Sequence, residues 1–416
     1  MIEWSEMHLQ IRDAVRRFVE TEVKPHIEAL EHGDTPPYEI LRKMVKTFGL
    51  GDMAKMRFAS DIARQQKREA AGATEEPKKE RGPSPERGME VAMQMIPIIE
   101  LCHYSPGMVT ALGVSMGLTS AAIMSRGTIA QKEKWALPLL TLEKIGAWAI
   151  TEPGSGSDAF GGMKSTARRD PQEKDGYVLN GSKTFITNGP YADTIVFICK
   201  LDEGAGHDVK DRKVLSFILD KGMPGLTQSK PLRKMGLHSS PTGELFLADV
   251  KVGKERLIGE TEQAPSRSGA KDTFTMERTG VAAMALGIVE QCCKLCIDYA
   301  RTRVQFGKPI GEFQLIQLKL AKMEVARMNI QNLVFRQIEL ASEGKSMSLA
   351  EASACKLYSA QAAMDVCLES VQLFGGNGYM AEYQVEQLCR DAKVLQIYGG
   401  TDEIQISQIA RSLLAQ

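Results

Sequence analysis

Residues 372–405 read QLFGGNGYMAEYQVEQLCRDAKVLQIYGGTDEIQ. They lie in a region, from about residue 268 to the C-terminus, whose apolar spacing predicts helix. In Val281–Ile297 and Ala350–Leu373 apolar residues fall on more than one helix face. Helices of that kind are buried between neighbours, in a bundle core or a subunit interface. Residues 148–259 change character, with short alternating or β-branched runs at Tyr177–Asn180, Thr184–Thr187, Thr194–Cys199, Val214–Leu219 and Leu245–Val252. The turn dipeptides Asp175-Gly176 and Asn180-Gly181 separate them. No helical pattern alternates with these runs, so an antiparallel barrel or small sandwich is expected rather than a parallel βαβ sheet. Residues 1–147 look helical throughout, with Gly49 and Gly51 placed to end a helix.

One segment breaks the helical pattern. Arg64–Arg87, RQQKREAAGATEEPKKERGPSPER, is dense in charge and has almost no apolar residue beyond alanine. Such a stretch cannot bury enough surface to offset its ordering entropy. Its middle, 72–88, is expected to be a mobile loop inserted between helices.

The 416 residues carry 52 Lys plus Arg against 52 Asp plus Glu, a formal net charge of zero. No global basic field exists to attract nucleic acid or an anionic membrane. Met1–Glu22 is amphipathic and rich in Glu, unlike a signal or transit peptide. No uninterrupted apolar run is expected to span a bilayer. These readings point to a cytoplasmic protein of bacterial type.

Cys293 and Cys296 form a C-x-x-C, but no second ligand pair follows, and no histidine lies in a metal-binding pair. The eight cysteines read as apolar helix-face residues of a reducing compartment. Gly154-Ser155-Gly156 begins like a dinucleotide fingerprint, but position 159 is Ala and no βαβ unit surrounds it. Residues 176–184 read GYVLNGSKT, with the lysine one place too late for a P-loop. A G-x-S-x-G elbow is absent, which argues against a hydrolase.

Besides 372–405, three segments stand out. Ala149–Asp158, AITEPGSGSD, is a helix-like run giving way to a Pro turn and a loop of small residues. Backbone N–H groups of such a loop can approach a ligand closely. Thr184–Gly189, TFITNG, ends a strand with an aromatic and small polar residues, and Arg301–Gly311, RTRVQFGKPIG, is a basic loop after a helix. Each alone is compatible with ordinary turn chemistry. In this order and at this spacing, TEPGSGSD, RVQFGKPI and QLFGGNGY…RDAK…YGGT closely resemble the acyl-CoA dehydrogenase family over nearly the whole chain. Residues 64–88 depart from that pattern as an insertion.

The resemblance implies a mostly α fold with a central β-barrel. A helical domain would span 1–147, a middle antiparallel β-barrel 148–259, and a four-helix bundle 260–416. It implies FAD as cofactor, with Trp148, Ile150, Thr151, Gly156 and Ser157 on the flavin side, and Ser157 also facing substrate. Phe185 and Thr187 stand where the family has an aromatic-Ile-Thr; many members carry Trp at the first position. Arg303, Gln305 and Phe306 match the loop that reaches the FAD of a neighbouring subunit, where an Arg can neutralise a diphosphate in bidentate fashion. Gln372 and Gly376 match the adenosine end of the cofactor, and Thr401 and Glu403 the loop returning to the flavin. Phe274, Arg278, Gly400 and Arg411 match substrate contacts, chiefly on the CoA side.

The family's reaction takes a proton from Cα and a hydride from Cβ of an acyl-CoA thioester. It needs a carboxylate base in an apolar pocket, where desolvation raises its pKa, and a polarised thioester carbonyl. Many members place the base just before the G-T of the last motif. Here that position is Gly399, which keeps only its N–H. A second group of members uses a Glu just before an Arg on the first long C-terminal helix, and Glu277-Arg278 matches it, as in long-chain and isovaleryl-type members. Glu277 is therefore the expected base. The implied partners are acyl-CoA, an electron-transferring flavoprotein and further copies of the chain in a homotetramer. Two alternatives are an acyl-CoA oxidase of the same fold and a non-catalytic subunit of a hetero-oligomer. Acyl chain length and branching are not readable.

Overall fold

A computed structural model describes residues 3–33, 35–72, 82–204, 212–263 and 267–415, with the side chains of 267–276 outside the description. The first part is helical. Glu6–Phe18 starts at a capping box between Ser5 and His8. Tyr38–Thr47 ends at Gly49, whose φ of 63° is left-handed. The next helix, Leu50–Ala70, begins at once, so Gly51 is inside a helix rather than ending one. Arg64–Ala70 continues that helix and Pro85–Cys102 is already the next. The mobile loop expected over 72–88 is corrected at 85–88, which are helical, and the expectation over 73–81 lies outside the described residues.

Among the described residues the middle part holds seven strands: β1 Gly146–Ala149, β2 Thr166–Arg169, β3 Tyr177–Thr187, β4 Thr194–Leu201, β5 Val214–Asp220, β6 Leu226–Gln228 and β7 Thr242–Val252. β1 corrects the sequence reading, which took the run before Thr151 as helix-like. Asp175-Gly176 does turn the chain between β2 and β3, which pair antiparallel. Asn180-Gly181 does not: it sits inside β3, where the register against β7 shifts between Leu179 and Gly181. A Cβ at Gly181 would stand 2.2 Å from Ser165 Oγ, so glycine here serves a close approach and not a turn.

The expected closed antiparallel barrel is not found among the described residues. The sheet is mixed, because β4 pairs parallel with both β1 and β2. Its path runs β1-β4-β2-β3-β7-β6, with β5 on the other edge of β4, and no pairing joins β5 to β6. β5 is covered by other means. Leu257 bridges to Phe217, Arg256 Nη1 donates to Ile218 O at 3.1 Å, and Trp135 Nε1 donates to Asp220 at 3.0 Å. An edge satisfied in this way needs no strand partner. β4 is buried along its whole length. Ile195, Phe197 and Cys199 face one apolar cluster, while Val196 and Ile198 face another containing Ile123, Trp135 and Leu139.

The last part is built on three long helices, Arg267–Thr302, Gln314–Ser342 and Leu349–Phe374, followed by Gln384–Lys393 and Asp402–Leu414. Their core is continuous with that of the N-terminal helices. A Cβ at Gly287 would stand 2.2 Å from Ile99 O, so a glycine lets Arg267–Thr302 press against Pro85–Cys102. Two segments, Pro106–Arg126 and Glu277–Thr302, are long and apolar enough to cross a membrane, with mean hydropathies of 1.5 and 1.6. This corrects the expectation that no such run exists. The second has 72% of its window inside the fold, as the core helix of a packed bundle does.

The three parts meet at a polar seam. Glu31, at the end of Ile27–Glu31, lies 3.3 Å from His238 Nδ1 and 3.9 Å from Arg390 Nη1. Asp391, fully buried, accepts from the Leu237 N–H and from Gln387. The RDAK motif is therefore an interdomain tie. Burial, with Asp391 adding to it, pushes the Glu31 carboxyl up to about 8.

Candidate active site

Glu277 lies on Arg267–Thr302 and is half-buried. Opposite it the chain leaves Tyr398, passes through left-handed Gly399 (φ 61°) and Gly400 (φ 87°), and enters Asp402–Leu414 with Thr401 as N-cap. A side chain at Gly399 would begin beside the base: its Cβ would stand 3.5 Å from Glu277 Cγ and 3.7 Å from Oε1. Gln405, fully buried, holds the double-glycine turn by donating from Nε2 to the Gly399 and Gly400 carbonyls at 3.0 and 2.8 Å. Sequence reasoning did not single out Gln405; its place one helical turn after the N-cap was the available signal.

Burial raises the Glu277 pKa, and the positive charges of Arg278 and Lys356 act against that rise. Arg278 is buried, and its Nη1 donates to Ser353 Oγ at 2.9 Å. Burial lowers its own pKa and Glu277 opposes the shift. Tyr398 adjoins the base; its hydroxyl donates to Met284 Sδ at 3.2 Å, and burial pushes its pKa up. Glu277, Arg278, Gly399, Gly400 and Thr401 are thus brought together. The side chain of Phe274 lies outside the described residues.

The second group of expected residues surrounds the loop after β1. Trp148, Ile150 and Thr151 are half-buried, whereas Gly156 and Ser157 are exposed. The loop folds on itself through Glu152 and Ser155, whose backbones exchange hydrogen bonds of 3.1 and 3.0 Å. Glu152 anchors it from beneath. Its carboxylate accepts from the Lys164 and Ser165 N–H groups at 2.6 and 2.9 Å, and from Lys183 Nζ at 2.9 Å. Burial alone would raise its pKa, but these bonds hold it below the ordinary carboxylate value. Lys183, fully buried, also donates to Ile150 O at 3.0 Å. Neither Glu152 nor Lys183 was read as a site residue.

Thr184 N–H donates to Thr151 O at 2.9 Å and joins this loop to β3. There the register shifts again between Lys183 and Ile186, and Phe185 takes a left-handed φ of 57°. A non-glycine residue in that region costs on the order of 1–3 kcal/mol. The irregularity leaves the Phe185 ring 69% exposed between two buried neighbours, Thr184 and Ile186. Thr187 follows half-buried, and Asn188 ties the segment to the N-terminal helices and to β1 by donating to Ala111 O and Gly146 O, both at 2.9 Å.

The residues present fit a flat aromatic group: the Phe185 side chain is exposed, and Cβ atoms added at Gly154 or Gly156 would meet nothing within 4 Å, so the loop backbone at these positions is open to approach. Arg303, Gln305 and Phe306 lie on a separate two-stranded ribbon, all exposed, with Phe306 at 94%. Gln372, Gly376, Glu403 and Arg411 are also exposed.

Comparison with known proteins gives the same arrangement a family. Residues 5–55, 147–250 and 268–414 match the N-terminal, middle and C-terminal domains of acyl-CoA dehydrogenase. The chain belongs to the acyl-CoA dehydrogenase family. It is 40% identical over 334 residues to a short-chain-specific acyl-CoA dehydrogenase of Megasphaera elsdenii, covering 80% of this chain and 84% of that one. The structure of butyryl-CoA dehydrogenase from the same organism superposes with a TM-score of 0.82 at 34% identity, over all of both chains. An acyl-CoA dehydrogenase complexed with FAD from Bacillus anthracis gives a TM-score of 0.79 at 28% identity, covering 99% of this chain and 68% of that one.

Proposed function

We propose that this acyl-CoA dehydrogenase family member converts an acyl-CoA thioester to the trans-2-enoyl-CoA, with Glu277 removing the Cα proton. The observation that carries the reading is the Glu277 carboxylate standing beside a Gly399 that leaves its place free. Bound FAD supplies the acceptor for the Cβ hydride. Trp148, Ile150, Thr151, Gly156, Ser157, Phe185 and Thr187 hold its ring system, with Thr401 and Glu403 closing from the other side. Gly399 and Gly400 let the thioester lie against the backbone, where an N–H polarises its carbonyl. Ser157, Gly400 and Arg411 form the substrate contacts, with the Arg278 guanidinium beside Gly400.

Assembly is part of the same proposal. On Gln314–Ser342 the exposed apolar residues Leu315, Leu318, Val325 and Met328 recur at helical spacing, and Phe306 is almost wholly bare. A stripe of this kind suits an interface between copies. A homotetramer would cover it and bring Arg303, Gln305, Phe306, Gln372 and Gly376 to the cofactor of another subunit. An electron-transferring flavoprotein is the proposed acceptor, and the bacterial cytoplasm the proposed location. The test is anaerobic mixing of the purified yellow protein with straight and branched acyl-CoAs: bleaching of the flavin by native protein but not by Glu277→Gln is expected. Equal bleaching by both would remove Glu277 from its role.

A further inference from the structure

The helix Leu349–Phe374 is apolar on most of its surface, yet it buries a lysine completely. Lys356 is 0% exposed. Its Nζ donates to Asp402 Oδ1 at 3.2 Å, and Gln361, on the same helix, donates to Asp402 Oδ2 at 3.2 Å. Asp402 follows the Gly399–Thr401 turn and opens the helix whose Gln405 holds that turn. One helical turn before Lys356, Ser353 accepts from Arg278, the neighbour of the base. A single face, Ser353 and Lys356, therefore grips both walls of the site. A buried lysine is expensive unless paired, and this one directs its pairing to the helix that follows the Gly399–Thr401 turn.

We propose that Lys356 is a positioning residue for the reaction, fixing the Gly399–Thr401 turn through Asp402 and presenting a positive charge to Glu277. This rests on Glu277 being the base. Among the described residues, the charges acting on Glu277 are Arg278 on its own helix and Lys356 from the helix Leu349–Phe374, with the Tyr398 hydroxyl also adjoining it. Asp402 and Glu403, on the last helix, face Lys356 in turn, as does Arg278. Burial drives Glu277 toward its neutral form, and the Lys356 charge limits how far. The lysine thereby keeps the base ionised at a pH where burial alone would protonate it.

The test is the pH dependence of flavin bleaching on anaerobic mixing, together with the infrared band of the protonated Glu277 carboxyl, assigned by its loss in Glu277→Gln. In Lys356→Gln both midpoints should rise by about one pH unit, while the loosened Gly399–Thr401 turn also lowers the plateau rate at high pH. Lys356→Arg should keep the native midpoints. A folded, FAD-loaded Lys356→Gln with native midpoints overturns the proposal, as does a rate loss equal at every pH. If Lys356→Gln does not fold, Lys356→Met decides, because it keeps the length of the side chain without its charge: a native midpoint there overturns the proposal. Bleaching at the native rate by Glu277→Gln is a separate result, which removes the base itself.

Discussion

The Glu277 carboxylate and the Gly399 backbone are complementary: a Cβ on Gly399 would meet Glu277 Cδ at 3.6 Å, so one place is reached from two points in the chain. Glu277→Gln keeps size and hydrogen bonding but cannot take a proton, and a loss of roughly 10²–10⁴-fold in the reductive half-reaction is expected. The double variant Glu277→Ala with Gly399→Glu should recover part of the rate. The left-handed φ of 61° at Gly399 penalises the new side chain, by about 1–2 kcal/mol. Stopped-flow absorbance and thermal melts of the three proteins check both statements.

The pH profile has a definite sign. Glu277 must be ionised to accept the proton, and its pKa is raised by burial. The rate should therefore fall as pH falls through that raised value, with the loss beginning above the ordinary carboxylate range. A midpoint at the ordinary value in the bleaching rate of the FAD-loaded protein would contradict this.

Glu31 links pH to stability. Its pKa is raised from 4.5 to about 8 in the folded protein. Between those values the folded state holds a proton that the unfolded state has released. The stabilisation is complete below the lower value and is lost as pH rises through the window. Glu31→Gln mimics the protonated form. It should flatten the decline and raise Tm at the alkaline end by roughly 2 °C, as calorimetry across the pH range would show.

Cofactor retention should depend on assembly. If Arg303 serves the FAD of another subunit, Arg303→Ala should lower FAD content and tetramer fraction together. Size-exclusion chromatography with absorbance at the flavin band measures both. A monomer holding stoichiometric FAD would exclude the shared site.

The inserted segment is expected to be dispensable for chemistry. Replacing 73–81 by a Gly-Ser linker of equal length should leave flavin content and turnover within about twofold, since loop composition and length cost little. A larger loss in steady-state turnover would assign the segment a role.

Much of the proposed site could be suggested from the chain, because turns that need glycine and loops that expose backbone leave local marks. TEPGSGSD, TFITNG and YGGT are such marks, and the Glu277-Arg278 pair was found by its fit to a motif. The sheet was less legible. Alternation shows that a strand has two faces, but not which neighbour it pairs with or in which direction. That is how β4 came to run parallel to β1 and β2, and how Asn180-Gly181, a good turn dipeptide, lies inside a continuous β3.

By itself the sequence determined that this is a helical protein with an inserted β region and that a carboxylate precedes Arg278; the flavin and the thioester came from its resemblance to a family. Tertiary structure alone decided that Gly399 faces that carboxylate, and that Lys356, Gln405, Glu152 and Lys183 are buried supports rather than surface polar residues. Periodicity assigns a residue to a face of its own helix or strand. Whether that face meets water or a partner charge depends on elements far away in the chain, which only the fold brings near.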